Sequence, residues 1–172
     1  MSSVVKFILN YGALSGIIHF VLAILLFQAG MNPLGQSGWL LAWIPLVFMS
    51  LACKNLRNSF FEGFISYWKA FRISFLTGSA SAFLFALLVY IYGSYFNSDL
   101  LEVFKKEVFE SLEMTRSFIG ESLYETGMNN LENTTMFSAA NSDFLNKVFG
   151  AIIASLIIAA FFRRNNYNID VK

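Results

Sequence analysis

The sequence predicts an all-α integral membrane four-helix bundle, with a cytoplasmic interfacial amphipathic helix and an outer amphipathic helical loop. Three observations predict it. Hydrophobic residues make up 56% of the 172 residues and charged residues only 13%, about half the charge that keeps a soluble domain wet. No Asp, Glu, Lys or Arg occurs from Phe7 to Cys53 or from Ile73 to Ser98, and a third, shorter uncharged run goes from Val148 to Phe162. Finally, Lys and Arg crowd onto the segments that four spans would place on one side.

The elements follow in order within a single membrane domain, residues 1–172. The first span covers about 7–29. It is too long for the apolar region of a signal peptide, and Phe27 stands where a cleavage site needs a small residue, so it is read as a retained helix. Gly30, Asn32 and Pro33 then give turn chemistry. The second span is expected at about 34–52, with Trp39 and Trp43 near one membrane interface and a kink at Pro45. The third span is expected at about 73–95, ending in Tyr90, Tyr92 and Tyr95. The fourth is expected at about 144–162. Its uncharged part is roughly 22 Å long at 1.5 Å per residue, so Lys147 is expected to snorkel outward.

The outer loop is expected at about 96–143. Leu101, Phe104, Val108 and Leu112 recur there at helical spacing, with charged residues at most other positions. Asp99 precedes Glu102 by three residues, like a capping arrangement. These signals predict an amphipathic helix over 99–119, followed by loop through Gly127, Asn129 and Asn130.

Charge sets the orientation. Lys6, Lys54, Arg57, Lys69, Arg72, Arg163, Arg164 and Lys172 face only Glu62 and Asp170 on the side of the termini, a net +6. The outer side carries Lys105, Lys106, Arg116 and Lys147 against nine acids, a net −5, and the whole chain is +1. Basic flanks stay inside, so both termini are expected in the cytoplasm. So small a net charge argues against nucleic acid as a partner. The single cysteine, Cys53, excludes an internal disulfide and a cysteine-cluster metal site.

Small residues recur at four-residue steps: Gly12 and Gly16, Gly78 and Ala82, Gly150 and Ala154. Such pairs let helices approach closely in lipid and are expected to pack the bundle or to seat a second chain. His19, the only histidine, lies inside the first span. No Asp, Glu, Lys or Arg is expected in the membrane to form a proton relay with it. No catalytic, cofactor-binding or metal-binding constellation is evident in the sequence.

Residues 60–71 read FFEGFISYWKAF. Phe60, Phe64, Tyr67, Trp68 and Phe71 recur at three- and four-residue steps, with basic residues around them. This pattern predicts a short helix over 59–70 lying in the cytoplasmic interface. Phe60, Gly63, Phe64, Ser66, Tyr67, Trp68 and Phe71 form its candidate interaction surface.

Three features together resemble a small four-helix bacterial inner-membrane family known only as domain of unknown function 4199. They are Tyr11-Gly12 with Gly16, the run Gly63-Phe64-Ile65-Ser66-Tyr67 followed by Ala70-Phe71, and an acidic amphipathic loop before a last helix ending in Arg163 and Arg164. The family often has two glycines where this chain has Glu62-Gly63. The resemblance implies a topology and a bacterial inner-membrane location but no activity. The expected function is a non-enzymatic accessory or scaffold subunit. Its partners would be the lipid bilayer and either another membrane protein or a second copy. The alternative is a lipid or small-solute binding or transport unit, which would need a cavity opening between helices.

Overall fold

The computed structural model describes residues 3–164. Asp170 and Lys172, counted above on the side of the termini, lie outside them. Among the described residues there are six α-helices and no strand. The helices are α1 (Ser3–Gln28), α2 (Trp43–Phe60), α3 (Tyr67–Ile91), α4 (Asp99–Ile119), α5 (Glu121–Glu132) and α6 (Met136–Phe162). A 3-10 helix, Gln36–Leu41, leads into α2, and a π turn, Tyr92–Phe96, continues α3.

Four of these segments are long and apolar enough to cross a membrane: α1, the 3-10 helix with α2, α3 with its π turn, and α6. The α3 segment has 30 residues, or roughly 45 Å at 1.5 Å per residue. That matches a bilayer of about 40–45 Å including its head-group regions.

Local chemistry sets the boundaries. α1 ends in a left-handed Gly30 at φ +81°. Gly30 N–H donates to the Phe27 carbonyl at 2.9 Å, and Met31 N–H to the Leu26 carbonyl at 3.0 Å. This double closure needs glycine at the left-handed position. Leu34 N–H then donates to Asn32 Oδ1 at 3.0 Å, a turn built by the side chain. α6 starts at a capping box in which Thr135 Oγ1 accepts from Ser138 N–H and Ser138 Oγ accepts from Thr135 N–H.

α3 is the centre of the bundle and packs against α1, α2 and α6. Its buried face, Ala70, Ile73, Ser74, Thr77, Gly78, Ser81, Ala82, Phe85 and Val89, recurs at three- and four-residue steps. One apolar cluster, around Met49, Cys53, Leu56, Ile73 and Ala159, fills the end near the chain termini. A second, around Ile44, Phe85, Val89, Leu100 and Met136, fills the opposite end. Leu14, Ile17, Val21 and Leu25 on α1, and Ile153, Leu156, Ile157 and Phe161 on α6, point outward. Helices apolar on every face suit a lipid solvent.

The structure corrects several expectations. The second span runs over Gln36–Phe60, past the expected end at 52, and Pro45 lies in the first turn of its α2 part, where backbone donors are unpaired anyway. Pro45 therefore starts the helix rather than kinking its middle. The short helix expected over 59–70 is absent. α2 runs through Phe60, a turn follows, and α3 begins at Tyr67. Glu62 at φ +50° and Gly63 at φ +83° interrupt any helix there. The amphipathic helix expected over 99–119 is α4 (Asp99–Ile119). The loop expected after it is helix α5, and α6 starts at Met136 rather than near Phe144.

Candidate functional site

Lys147 does not snorkel outward. It lies inside α6, its side chain 22% exposed, and pairs with Asp143 one turn earlier, whose side chain is 12% exposed. The Lys147 ammonium also sits over the Phe85 ring, 4.4 Å from its centroid. The same ring takes His19 from α1, with centroids 4.3 Å apart. Phe85 is fully buried and His19 nearly so. His19 of α1 and Lys147 of α6 therefore meet on one aromatic ring of α3, and Asp143 joins them through Lys147. This overturns the expectation that no charged residue lies near His19 within the long apolar helices.

The cluster is incompletely bonded. Lys147 Nζ bonds Asp143 Oδ1, while Asp143 Oδ2 is enclosed and has no hydrogen-bond partner among the described residues. A hydroxyl lane continues away from it. One turn from His19, Ser15 accepts from Ser81 Oγ at 2.8 Å. Next on α3 come Thr77, which donates to the Ile73 carbonyl at 2.8 Å, and Ser74. Ser155 Oγ is buried and unpartnered among the described residues, and the buried Ser74 Oγ lies beside the Cys53 thiol.

The small residues work along these seams. A Cβ on Gly12 would lie 2.6 Å from Ala80 Cβ and 2.9 Å from the Thr77 carbonyl oxygen. One on Gly16 would lie 2.8 Å from the Ser81 carbonyl oxygen, and one on Gly78 would lie 2.9 Å from Ala151 Cβ. Gly12 and Gly16 sit where the backbones of α1 and α3 meet, and Gly78 makes room for the Ala151 and Met49 side chains. Ala82 is buried and Ala154 partly so. Gly150 faces open space, with nothing within 4 Å of where its Cβ would be.

The aromatic run at 60–71 forms a rim. Phe60 packs edge-on to Phe7, Trp68 edge-on to Tyr67 and Phe71, and Phe71 stacks on Phe75. Phe60, Phe64, Ser66 and Trp68 are exposed, and Gly63 is half-buried in open space. Ile65 between them is buried and exchanges both backbone hydrogen bonds with Arg164, at 2.9 and 2.8 Å. Arg57 donates to the Phe162 carbonyl at 3.3 Å, and Tyr67 to the Leu156 carbonyl at 3.3 Å. The run thus ties the α2–α3 turn to the end of α6.

At the opposite end α4 and α5 form an antiparallel hairpin. Leu112 fills the space beside Gly127, and Lys105 Nζ donates to the Glu132 carbonyl at 3.2 Å. Glu107 latches the hairpin to the α1–α2 loop. It accepts from Asn32 Nδ2 at 2.7 Å and from Gln36 N–H at 2.8 Å. The tip closes on Arg116, which donates to Glu121 at 2.5 and 3.1 Å and stacks over Tyr124. This guanidinium holds the Glu121 carboxyl below the usual carboxylate range by its hydrogen bonds. The hydrogen bond to Glu113 pushes the Tyr124 phenol up. Met114, Phe118 and Leu123 are left exposed beside the tip.

Sequence reading missed the Asp143–Lys147 pair because both residues were assigned to the border of a shorter helix. The available signal was their four-residue spacing, which lets opposite charges neutralise each other on one helix face.

No curated protein and no solved structure matches the chain. A family model described as "Protein of unknown function (DUF4199)" matches residues 10–164. That match covers the aromatic rim, the hairpin, the ionisable cluster and every span except the first residues of α1, and the chain belongs to this family.

Proposed function

We propose that the protein is a multi-pass subunit of the bacterial inner membrane, with both termini in the cytoplasm. It serves as a non-enzymatic accessory or scaffold for another membrane protein. The observation that carries this reading is the hairpin: an ordered helical pair, latched at Glu107, with Met114, Phe118 and Leu123 uncovered at its tip. Exposed apolar groups of this kind, rimmed by charge, mark contact surfaces. From Asp99 to Glu132 the hairpin carries eight acids and three bases. Like charge opposes docking against the same hairpin of a second copy, so the favoured partner is a different, basic protein surface. The aromatic rim of Phe60, Phe64 and Trp68, beside Lys54, Lys69 and Arg72, suits anionic lipid head groups and anchors the other end.

A second reading, lipid binding, is favoured by one feature. A trough of about 330 Å³ runs along α2, lined by Trp43, Leu46, Val47, Ser50, Leu51, Lys54 and Phe162. An acyl chain laid in it would place its head group near Lys54.

Photo-crosslinking in native membranes separates the two. A crosslinking amino acid at Phe118 should give one discrete protein adduct, lost when Met114 and Leu123 are changed to Asp. Lipid adducts from Val47, with no protein adduct from Phe118, would favour the second reading instead.

A further inference from the structure

We propose that Asp143, paired with Lys147, which meets His19 across the Phe85 ring, forms a proton-binding site inside the bundle, with Asp143 Oδ2 as the atom that takes the proton. The inference is independent of which partner the hairpin meets.

A charged side chain within a membrane-spanning segment is expensive and marks function by default. A buried ion pair repays its desolvation only when its remaining hydrogen-bonding capacity is filled. Here it is not filled. Asp143 Oδ1 meets Lys147 Nζ, but Oδ2 is enclosed without a partner among the described residues. The ammonium also faces the Phe85 ring, an electrostatic partner that offers no acceptor oxygen. Apolar side chains at 143 and 147 would pack α6 on α3 without this penalty, so packing alone does not account for the pair.

The groups facing the pair determine which ligand it can take. α6 itself brings Asp143 and Lys147, α1 brings His19, and α3 brings the uncharged Phe85. The ammonium repels a metal cation, and the carboxylate repels an anion. A proton is the charged ligand that one unpaired carboxylate oxygen can hold in such confined space. In the binding step a hydronium ion gives its proton to Oδ2. One O–H bond forms, one O–H bond of the hydronium breaks, and water leaves. The site changes from net zero to one positive charge, and the Lys147 ammonium loses its counter-ion. A lone charge in apolar surroundings is strongly disfavoured, so proton arrival acts directly on the seam between α3 and α6. Asp143 lies seven residues into α6, roughly 10 Å below its first residue, so the shorter route for the proton is from the hairpin side.

The chain has three aspartates, Asp99, Asp143 and Asp170. This permits a test that leaves the cluster untouched. The full chain carrying Asp99→Asn and Asp170→Asn, with carbon-13 in its remaining aspartate, is placed in phospholipid nanodiscs. Infrared difference spectra are recorded as the pH is lowered from about 9 to about 4, a range chosen around ordinary carboxylate and imidazole values. The expected result is an isotope-shifted carboxylic-acid carbonyl band that grows on acidification and disappears in Asp143→Asn. Absence of that band across the range would overturn the proposal, because the labelled carboxyl would then hold no proton in the intact site. A shifted band that persists in Asp143→Asn, in folded protein, would overturn it equally.

Discussion

Asn32 donates its side-chain amide to Glu107 across 2.7 Å, although 75 residues separate them in the chain. The same carboxylate accepts the Gln36 backbone N–H. One side chain of the hairpin thus replaces water for two donors of the α1–α2 loop.

Replacing Glu107 by Ala should free the hairpin without unfolding the bundle. Hydrogen bonds to charged groups contribute about 1.5–3 kcal/mol, and Glu107 is only half-buried, so the lower end applies. Amide hydrogen exchange over residues 32–36 and 99–112 should accelerate, while exchange in α3 stays as it was. Equal acceleration in α3 would show that the hairpin is part of the core.

The glycines should divide sharply. Gly12→Ala forces a Cβ against Ala80 and the Thr77 carbonyl, and overpacking of this kind costs about 1–3 kcal/mol. Gly150→Ala meets nothing within 4 Å and should stabilise α6 by about 0.8–1 kcal/mol through helix propensity. Thermal unfolding in detergent reads both. Destabilisation by Gly150→Ala, with loss of an oligomer, would assign that open spot to a second chain.

The Asp143–Lys147 pair should be strongly non-additive. Asp143→Leu or Lys147→Met alone leaves an uncompensated charge and should cost about 3–5 kcal/mol. The double variant should be neutral or more stable by about 1–4 kcal/mol. A double-mutant cycle in detergent measures this, and additive losses would mean that the two groups do not interact.

The hairpin tip should loosen in acid. Arg116 holds the Glu121 carboxyl low in the folded hairpin. A group lowered on folding adds stability above its unfolded value and loses it as pH falls through the folded one. The loss therefore begins below about pH 4.3, the unfolded glutamate value. A spin label at Ser122, in a Cys53→Ser background, should become more mobile as the pH falls from there. Added salt should shrink the effect, because these charges are exposed. Mobility independent of pH would remove Arg116–Glu121 as the clasp.

The bundle was legible in the sequence because long uncharged runs, Phe7 to Cys53 and Ile73 to Ser98 above all, leave few alternatives. α4 was legible because Leu101, Phe104, Val108 and Leu112 keep one face. The 60–71 run misled because its aromatic spacing belongs to two helices, Phe60 to the end of α2 and Tyr67, Trp68 and Phe71 to the start of α3. Local periodicity does not reveal that Glu62 and Gly63 turn the chain between them. α5 was hidden by Gly127, Asn129 and Asn130, weak helix formers that the Leu112 contact and the α4 partner offset. The start of α6 was hidden because its first turns are polar, and hydropathy does not see a capping box. The ionisable cluster needed three helices to be brought together, which spacing along one helix cannot show.

We propose a four-span bundle whose acidic hairpin lies outside and whose α2–α3 turn lies in the cytoplasm. Single cysteines at Asn129 and Ser59, both exposed, test it in a Cys53→Ser background with a membrane-impermeant thiol reagent. In intact cells the residue-129 cysteine should be labelled, and the residue-59 cysteine should react only after the membrane is opened. Labelling at 59 but not at 129 would contradict the orientation, and labelling of both before permeabilisation would contradict the four-span topology.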